Sequence, residues 1–429
     1  MVPKGWKITS LGKICSGNLQ TGPFGSQLHA HEYTKSGVPV LMPKDLIGYR
    51  ANITTAAKIP QSRADDLAKH KLKVGDILFS RRGDVARFAL IDEKSKDALC
   101  GTGCLKATVN ADHSSFFLSY FLQKNAVRKW LEQNAVGQTM PNMNTAILNE
   151  LPLMVASSKK EEERIAKILS TWDKAISTTE ALIDNSKQQK KALMQQLLTG
   201  KKRFAGFGEP AKGDKLPEGW TLEPIGNYIF EHRGGAALKP IDFRDSGFTV
   251  LPKKAVQLGN RLKIGEPTYC SNSFAEANSR SMVDKSFSVI TLRDLVPTGP
   301  TIGTVVNYYT DEKYILAQGV YGLKLKEEIS REFLAYLSNF QLYRKLMNKV
   351  MVGSTQVHIR VSEYLTLKFQ FPTNPEQKKI ATVLINADKE IELLQKQLAD
   401  LKQEKKALMQ QLLTGKRRVK INESEAALA

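Results

Sequence analysis

The chain has 429 residues, enough for roughly three domains of about 150 residues each, and 41% of them are hydrophobic, as in globular proteins. No apolar run approaches the roughly 20 residues that a membrane span needs, and the N-terminal residues show no apolar core of signal-peptide length. We therefore expect a cytoplasmic protein without membrane contact.

The charge is strongly positive. Lysine and arginine number 63 against 43 aspartate and glutamate, a net charge of +20. Such a field attracts polyanions, of which nucleic acid is the commonest in the cytosol. The composition therefore favours DNA or RNA binding, with a basic but uninvolved surface as the alternative.

The close pair Cys100 and Cys104 lacks a second Cys/His pair at zinc spacing, so we expect reduced thiols and no metal site.

A first globular domain is predicted over residues 1–156. Apolar β-type runs lie at 75–80 and 88–91, and an amphipathic helix is predicted over about 115–133. A long helix over 157–203 follows. The domain is therefore expected to be mixed α/β with short strands.

A second domain repeats this plan after a Gly- and Pro-bearing linker over 204–215. It covers residues 216–372, with strands predicted at 287–292 and 301–309 and an amphipathic helix over about 330–349. A second long helix over 373–418 and a tail over 419–429 complete the predicted organisation.

The two halves are copies of one unit. Residues 190–201 and 405–416 both read KKALMQQLLTGK, and Pro3, Gly5 and Trp6 recur as Pro217, Gly219 and Trp220. The helix ends are nearly identical, whereas most polar residues inside the domains differ. A shared scaffold with diverged loops is typical of two readers of different ligands, and neutral drift after duplication is the alternative.

Each long helix carries an apolar seam with the 3.5-residue period of a coiled coil. The seam residues are Ile165, Leu169, Trp172, Ile176, Ile183, Leu193 and Leu197 in the first helix, and Ile380, Leu384, Ile391, Leu394, Leu398, Leu401, Leu408 and Leu412 in the second. We expect the two helices to pack on each other, with Lys190 and Lys405 fixing the register. Pairing between separate chains is the alternative.

The helices are expected to be antiparallel. Parallel helices would force the second domain to bridge about 50 Å between the end of one helix and the start of the other. The predicted fold is thus a tandem α/β (α+β) repeat, with one globular domain at each end of an antiparallel helix pair and a pseudo-twofold axis between them.

Several polar loops are candidates for DNA contact. Adjacent arginines after a strand suit phosphate or guanine, and amide side chains can pair with adenine edges. In the first domain the candidates are Gly25, Ser26, Gln27, Lys44, Arg81, Arg82, Gln138, Thr139, Asn142 and Asn144. In the second they are Arg233, Lys253, Lys254, Arg293, Ser354, Thr355, Gln356 and His358. Each is also compatible with a solvated surface, but they recur at equivalent places in both copies.

Catalytic motifs are absent from the sequence: there is no phosphate-binding P-loop, no dinucleotide fingerprint after a strand and no H-E-x-x-H. Asp92 and Lys94 with Asp84 upstream weakly imitate a nuclease site, as do Asp311 and Lys313. A charged turn explains them better, because metal-dependent cleavage needs carboxylates that converge on a cation. We therefore expect no catalytic residues.

The chain resembles the specificity subunits of type I restriction–modification systems. The resemblance rests on the Pro3–Trp6 and Pro217–Trp220 motifs, the run GDILFSRRGD at 75–84, the G-x-T loops at Gly137 and Gly353, and the two LLTGK helix ends. It covers essentially the whole length. In the second copy VITLRDLVPTG replaces ILFSRRGD, so only Arg293 matches there.

The resemblance implies a non-catalytic DNA-recognition subunit with two target recognition domains. Each domain would read one half of an asymmetric, split site on double-stranded DNA, with a gap of roughly six to eight base pairs set by the helices. It also implies partners: modification subunits, two in number, that methylate adenine with S-adenosylmethionine, and restriction subunits that use ATP and Mg²⁺. No cofactor is expected in this chain. A stand-alone metal-dependent nuclease and a coiled-coil protein adaptor are the alternatives.

Overall fold

A computed structural model describes residues 2–23, 27–137, 141–156, 158–211, 213 and 215–420. Contacts divide the chain into two units, residues 1–180 with 397–429 and residues 181–396. Each unit therefore combines one predicted domain with half of each long helix. Four predicted DNA-binding residues lie outside the described residues, as does most of the tail: Gly25, Ser26, Gln138 and Thr139. None of the described helices is both long and apolar enough to cross a membrane.

The described residues of the first unit form eleven short strands and five short helices. The strands are β1 (Lys7–Ser10), β2 (Leu19–Thr21), β3 (Val38–Leu41), β4 (Leu46–Ile47), β5 (Arg50–Ala51), β6 (Ala57–Ile59), β7 (Ile77–Ser80), β8 (Phe88–Leu90), β9 (Leu99–Cys100), β10 (Cys104–Ala107) and β11 (Pro152–Val155). The helices are α1 (Leu11–Ile14), α2 (Gln61–Asp66), α3 (Ser115–Leu122), α4 (Asn125–Asn134) and α5 (Thr145–Asn149).

These strands form a six-stranded sheet in the order β2-β10-β7-β8-β5-β4, a three-stranded sheet β6-β3-β9 and the pair β1-β11. Strand β7 lies inside the larger sheet, between β10 and β8, and all four of its residues are buried, as expected of a strand covered on both faces. The long helix α6 (Lys159–Leu197) follows.

The second unit is also a mixture of short strands and helices, with thirteen strands and four short helices among its described residues. The strands are β12 (Thr221–Pro224), β13 (Ile229–Gly234), β14 (Phe243–Arg244), β15 (Phe248–Leu251), β16 (Thr268–Cys270), β17 (Met282–Val283), β18 (Phe287–Thr291), β19 (Arg293–Asp294), β20 (Val305–Val306), β21 (Tyr314–Leu316), β22 (Val320–Leu325), β23 (Val357–His358) and β24 (Lys368–Phe371). The helices are α7 (Asn272–Ala277), α8 (Arg331–Asn339), α9 (Gln341–Val350) and α10 (Val361–Thr366).

The sheets of this unit are β13-β22-β18-β20, β14-β16-β15-β21-β17 and the pairs β12-β24 and β19-β23. The second long helix, α11 (Asn374–Leu412), closes the described fold. The tandem α/β character predicted from the sequence is confirmed.

Three predicted elements differ from the structure. The helix predicted over 115–133 is two helices, α3 and α4, because Lys124 has extended backbone angles. Phe340 separates α8 from α9 in the same way. The strand predicted over 301–309 shrinks to β20, since Gly303 adopts a φ of +74° within a turn.

The long helices also end earlier than predicted, at Leu197 and Leu412 rather than 203 and 418. Gly200 and Gly415 stop them, both at φ +64°. A Cβ on Gly200 would lie 2.2 Å from Pro217 Cγ, and one on Gly415 would lie 2.9 Å from Pro3 Cγ. The duplicated Pro-x-Gly-Trp motif thus packs against the duplicated helix end.

Ion pairs show the direction of the helices inside each unit. In the first unit, Lys405 Nζ lies 2.6 Å from Asp173 Oδ1 and Lys402 pairs with Glu180 at 2.7 Å. In the second, Lys190 Nζ lies 2.5 Å from Asp388 Oδ1, and the Ser186 hydroxyl donates to Glu390 Oε1 at 3.4 Å. Residue numbers fall along one helix as they rise along the other, so the helices are antiparallel within each unit. Lys190 and Lys405 make the cross-helix contacts expected of them.

The predicted seam is most buried where it meets the domain cores. Ile165, Leu169 and Leu412 belong to the core of the first unit, and Leu197, Ile380 and Leu384 to that of the second. Ile183 and Ile391 are also buried. The remaining seam residues are half-buried: Trp172, Ile176, Leu193, Leu394, Leu398, Leu401 and Leu408.

Candidate nucleic-acid interface

An arginine follows the buried central strand of each unit within two residues of its end. Ser80 in β7 pairs with Cys104, and Thr291 in β18 pairs with Val320. In both units the hydroxyl of this last strand residue donates to the carbonyl two residues on, that of Arg82 at 3.0 Å and that of Arg293 at 2.9 Å. The hydrogen-bond register therefore makes Arg82, rather than Arg81, the counterpart of Arg293.

In the first unit the strand end meets the loop that precedes α5. Arg82 forms an antiparallel bridge with Asn142, the Met143 N–H donates to the Arg81 carbonyl at 2.8 Å, and the Gly83 N–H donates to that of Pro141 at 3.1 Å. Two separately predicted loops thus form one surface. Arg82 is exposed on it, and Asn142 is half-buried.

This surface contains polar atoms with unused hydrogen-bonding capacity. Arg81 Nε and Asn142 Oδ1 are buried and have no partner among the described residues. Buried polar groups are normally satisfied, so such atoms are typical of places where water or a ligand completes the structure. Nearby, Asp84 lies 3.6 Å from Arg87 and 3.7 Å from Arg128, which keeps its carboxylate paired.

The second unit has the same pairing with different side chains. Strand β19 pairs with β23, so Arg293 lies opposite His358. Arg293 Nη2 donates to Gln356 Oε1 at 2.5 Å. Beside them lies an open cleft of about 480 Å³. We call it the Arg293 cleft; its lining residues are Leu292, Arg293, Gln318, Gly319, Tyr321, Gln356, Val357, His358, Ile359 and Arg360.

A buried carboxylate supports this strand pair. Asp294 accepts hydrogen bonds from Lys253 Nζ at 2.7 Å, from the Thr301 N–H at 3.0 Å and from the Thr301 hydroxyl at 2.8 Å. Burial alone would raise the pKa of Asp294, but the bonds from Lys253 and Thr301 outweigh it and hold the pKa below its usual range. The ammonium of Lys253 is therefore paired with the Asp294 carboxylate, and this ion pair stabilises the turn after β19.

Two predicted DNA-binding residues form hydrogen bonds with neighbouring groups of the protein, although Arg233 is only half-buried and Asn144 is exposed. Arg233 lies in β13, where it donates to Glu231 at 2.6 Å and to the Met282 carbonyl at 2.6 Å. Asn144 caps α5, its Oδ1 accepting the Ile147 N–H at 2.8 Å. These bonds occupy the Arg233 guanidinium and the Asn144 Oδ1, and contact of either residue with DNA stays a prediction.

Lys253 is half-buried in its ion pair with Asp294, whereas several other predicted residues lie on the molecular surface. Lys44 and Lys254 occupy matching short 3₁₀ turns after β3 and β15. Exposed side chains are Lys44, Lys254, Ser354, Thr355, Gln356 and His358, and Gln27 is half-buried. Their contact with DNA stays a prediction.

Sequence reasoning missed Gln318, Tyr321 and Arg360 in the Arg293 cleft. Arg360 directly extends the predicted Gly353–His358 loop, so a longer loop boundary would have included it. Gln318 and Tyr321 flank the turn between β21 and β22, which no sequence motif connects to Arg293.

The nuclease-like carboxylates have structural partners. Asp92 accepts hydrogen bonds from the Ser95 hydroxyl at 2.8 Å and from the Ser95 N–H at 3.0 Å. Asp311 lies in an ion pair 2.5 Å from Lys285. Within the described ranges, no group of three or more His, Cys, Asp and Glu side chains could hold a metal ion. These contacts support the charged-turn interpretation.

Comparison with known proteins gives a consistent result. The family model described as "Type I restriction modification DNA specificity domain" matches residues 3–186 and 217–403. The chain is 25% identical over 435 residues to the putative type I restriction enzyme MjaX specificity subunit of Methanocaldococcus jannaschii, covering 98% of this chain and 95% of that protein. The MjaVIII specificity subunit of the same organism is 25% identical over 432 residues, covering 98% and 94%.

A solved structure shares the fold. The crystal structure of the type I restriction–modification S subunit from M. genitalium matches with a TM-score of 0.56 and 17% identity, covering 97% of each chain. At this identity the likeness concerns the fold alone.

Proposed function

This chain belongs to the family of type I restriction–modification DNA specificity domains, and from that premise we propose that it recognises DNA sequence for a type I restriction–modification complex. It binds double-stranded DNA and directs adenine methylation or DNA cleavage by partner subunits. The chain itself supplies recognition and no catalysis.

One observation carries this proposal. The same strand-end and loop pair occurs in both units, but Arg82 faces Asn142 in one and Arg293 faces His358 in the other. Conserved geometry with different hydrogen-bonding groups is what two readers of different base sequences require, because base edges are distinguished by their donors and acceptors. We therefore propose an asymmetric, two-part site, one part per unit.

The proposed complex contains two modification subunits, which bind S-adenosylmethionine, and restriction subunits, which use ATP and Mg²⁺. The long helices set the distance between the two parts of the site and offer a docking surface to the modification subunits. We also propose that the complex is cytoplasmic.

Co-expression of the chain with candidate modification subunits tests the proposal. Genome-wide mapping of methylated adenines is expected to reveal one asymmetric motif, two specific blocks separated by roughly six to eight unspecified base pairs. Cells with the modification subunits alone are the control. A folded complex that methylates no defined motif would contradict the proposal.

Salt dependence separates this function from that of a protein adaptor. Lys and Arg contacts to phosphates release counterions, so the logarithm of the DNA affinity should fall steeply and linearly with the logarithm of salt concentration. An adaptor predicts no DNA binding at any salt concentration.

A nuclease predicts cleavage by the isolated chain, which replacing Asp92 and Asp311 by alanine would abolish.

A further inference from the structure

The Arg293 cleft presents an arginine that is held in place by its surroundings. One terminal nitrogen of its guanidinium donates to Gln356 Oε1 at 2.5 Å. Gly319, at φ +85°, lies against its stem, so close that an added Cβ would stand 2.8 Å from Arg293 Cβ. The Leu292 N–H also bonds to the Gly319 carbonyl at 3.0 Å. An arginine oriented before its ligand arrives loses less entropy on binding.

The Arg293 guanidinium and its neighbours offer hydrogen-bond donors to a ligand. A guanidinium has donors and no acceptor, and Gln356, whose oxygen accepts one bond from Arg293, also has an NH₂ group that can donate. Arg360 adds a second guanidinium at the rim, with 73% of its side chain exposed. Guanine shows two acceptors, O6 and N7, in the major groove, whereas adenine and cytosine place an amino donor there.

We propose that Arg293 is a specificity-determining residue that reads one guanine in the half-site bound by the second unit. Gln356 and Gly319 are the positioning residues, since they fix the guanidinium without needing to touch the base. This inference rests on the proposed function and deepens it by naming the base. The first unit, where Asn142 replaces His358 beside Arg82, is expected to read its half-site with a different set of groups.

The test uses the full chain in complex with its modification subunit and a labelled duplex carrying the mapped motif. Competing duplexes replace each specified base pair in turn. With the wild-type chain, replacing the guanine read by Arg293 should lower affinity by roughly 5- to 150-fold. Arg293→Ala should bind the original and this replaced duplex equally, while the penalties at every other position stay unchanged.

Two further variants sharpen the result. Gln356→Ala frees the guanidinium, so the penalty at the same guanine should become smaller than in the wild type without disappearing. Arg280→Ala is the matched control, because Arg280 is an exposed arginine of the same unit that does not line the cleft. It should leave every base preference unchanged.

A uniform loss of affinity for all duplexes in Arg293→Ala would identify a phosphate contact and overturn the inference. The inference would also be overturned if Arg293→Ala lost the affinity penalty at an A·T pair instead of at a G·C pair. If Arg293→Ala binds no duplex at all, the result for Gln356→Ala is the test. A guanine penalty in Gln356→Ala equal to that of the wild type would contradict the positioning of Arg293 by Gln356. Wild-type complex that prefers no duplex would instead refute the proposed function itself.

Discussion

Glu376, at the start of α11, is a buried carboxylate with three hydrogen bonds. It accepts two from Arg203, at 3.0 and 2.8 Å, and one from Trp220 Nε1 at 2.9 Å. The side chains of Arg203 and Glu376 are only 3% and 1% exposed. Glu376→Ala would leave a buried guanidinium unpaired, so we expect the free energy of unfolding to fall by about 3–5 kcal/mol. Calorimetric unfolding of the purified variant measures this.

The duplication supplies the control for this experiment. Glu161 accepts the same two bonds from Arg418, at 2.6 and 2.8 Å, but 45% of the Arg418 side chain is exposed. Water can solvate that guanidinium when its partner is removed. Glu161→Ala should therefore destabilise the protein less than Glu376→Ala, and the reverse order would contradict the role of burial.

His70 makes stability depend on pH. Burial, followed by the nearby charges of Lys69 and Lys106, lowers the pKa of His70 to about 4. In the unfolded chain the imidazole titrates near its ordinary pKa of about 6.5. Between these values the unfolded chain binds a proton that the folded chain does not, so stability falls as the pH decreases from about 6.5 towards 4.

Replacing His70 by glutamine should flatten this dependence. At pH 5 the wild type is expected to have lost about 2 kcal/mol relative to pH 7 through this residue. Thermal unfolding of wild type and variant at both pH values measures the difference. His31→Gln, at an exposed site, should keep the wild-type pH dependence; a variant at His70 that also keeps it would refute the argument.

At the scale of elements, two equivalent triads hold the long helices in register. Asp388 accepts a hydrogen bond from the Tyr336 hydroxyl at 2.7 Å besides its ion pair with Lys190. The other triad consists of Tyr120, Asp173 and Lys405, with distances of 2.6 Å for both contacts of the carboxylate. A single polar contact at a seam position is an effective means of fixing helix register.

Asp388→Asn keeps the shape of this side chain but removes the ion pair with Lys190. Because the pair is only partly shielded from water, we expect the free energy of unfolding to decrease by about 1–2 kcal/mol. Chemical denaturation measures it. Glu392→Gln, an exposed carboxylate one turn further along α11, is the control and should change stability little; an equal loss in both variants would argue against the triad.

At the scale of the whole molecule, the helices are proposed to act as a ruler. In α6, residues 178–184 lie between Asp173 and Lys190, and in α11, residues 394–400 lie between Asp388 and Lys405. Deleting both heptads keeps the two triads aligned and shortens each helix by about 10 Å, the length of about three base pairs of DNA. The gap in the methylated motif should therefore shrink by about three base pairs while both specific blocks persist.

Deletion of 178–184 from α6 alone is the control. The two helices then differ in length by seven residues, so the Lys190–Asp388 and Lys405–Asp173 ion pairs cannot both form. We expect this variant to lose stability rather than acquire a new gap. An unchanged gap in a folded double-deletion complex would show that the helices do not set the spacing.

Local patterns in the sequence determined much of this protein. The repeated KKALMQQLLTGK segment and the Pro-x-Gly-Trp motifs revealed the duplication, and helical periodicity located both long helices to within a few residues. The glycine stops at Gly200 and Gly415 were also readable, because a positive φ favours glycine whatever surrounds it.

Only the tertiary structure decided which polar residues lie together. It showed that Arg82 and Arg293 are equivalent, and that in each unit the segment after the central strand pairs with the loop that begins at the G-x-T motif. It also showed that Gln318 lines the Arg293 cleft. It also showed that Arg233 donates a hydrogen bond to the Met282 carbonyl. These outcomes depend on hydrogen-bond register and packing between segments far apart in the chain, which periodicity and composition do not encode.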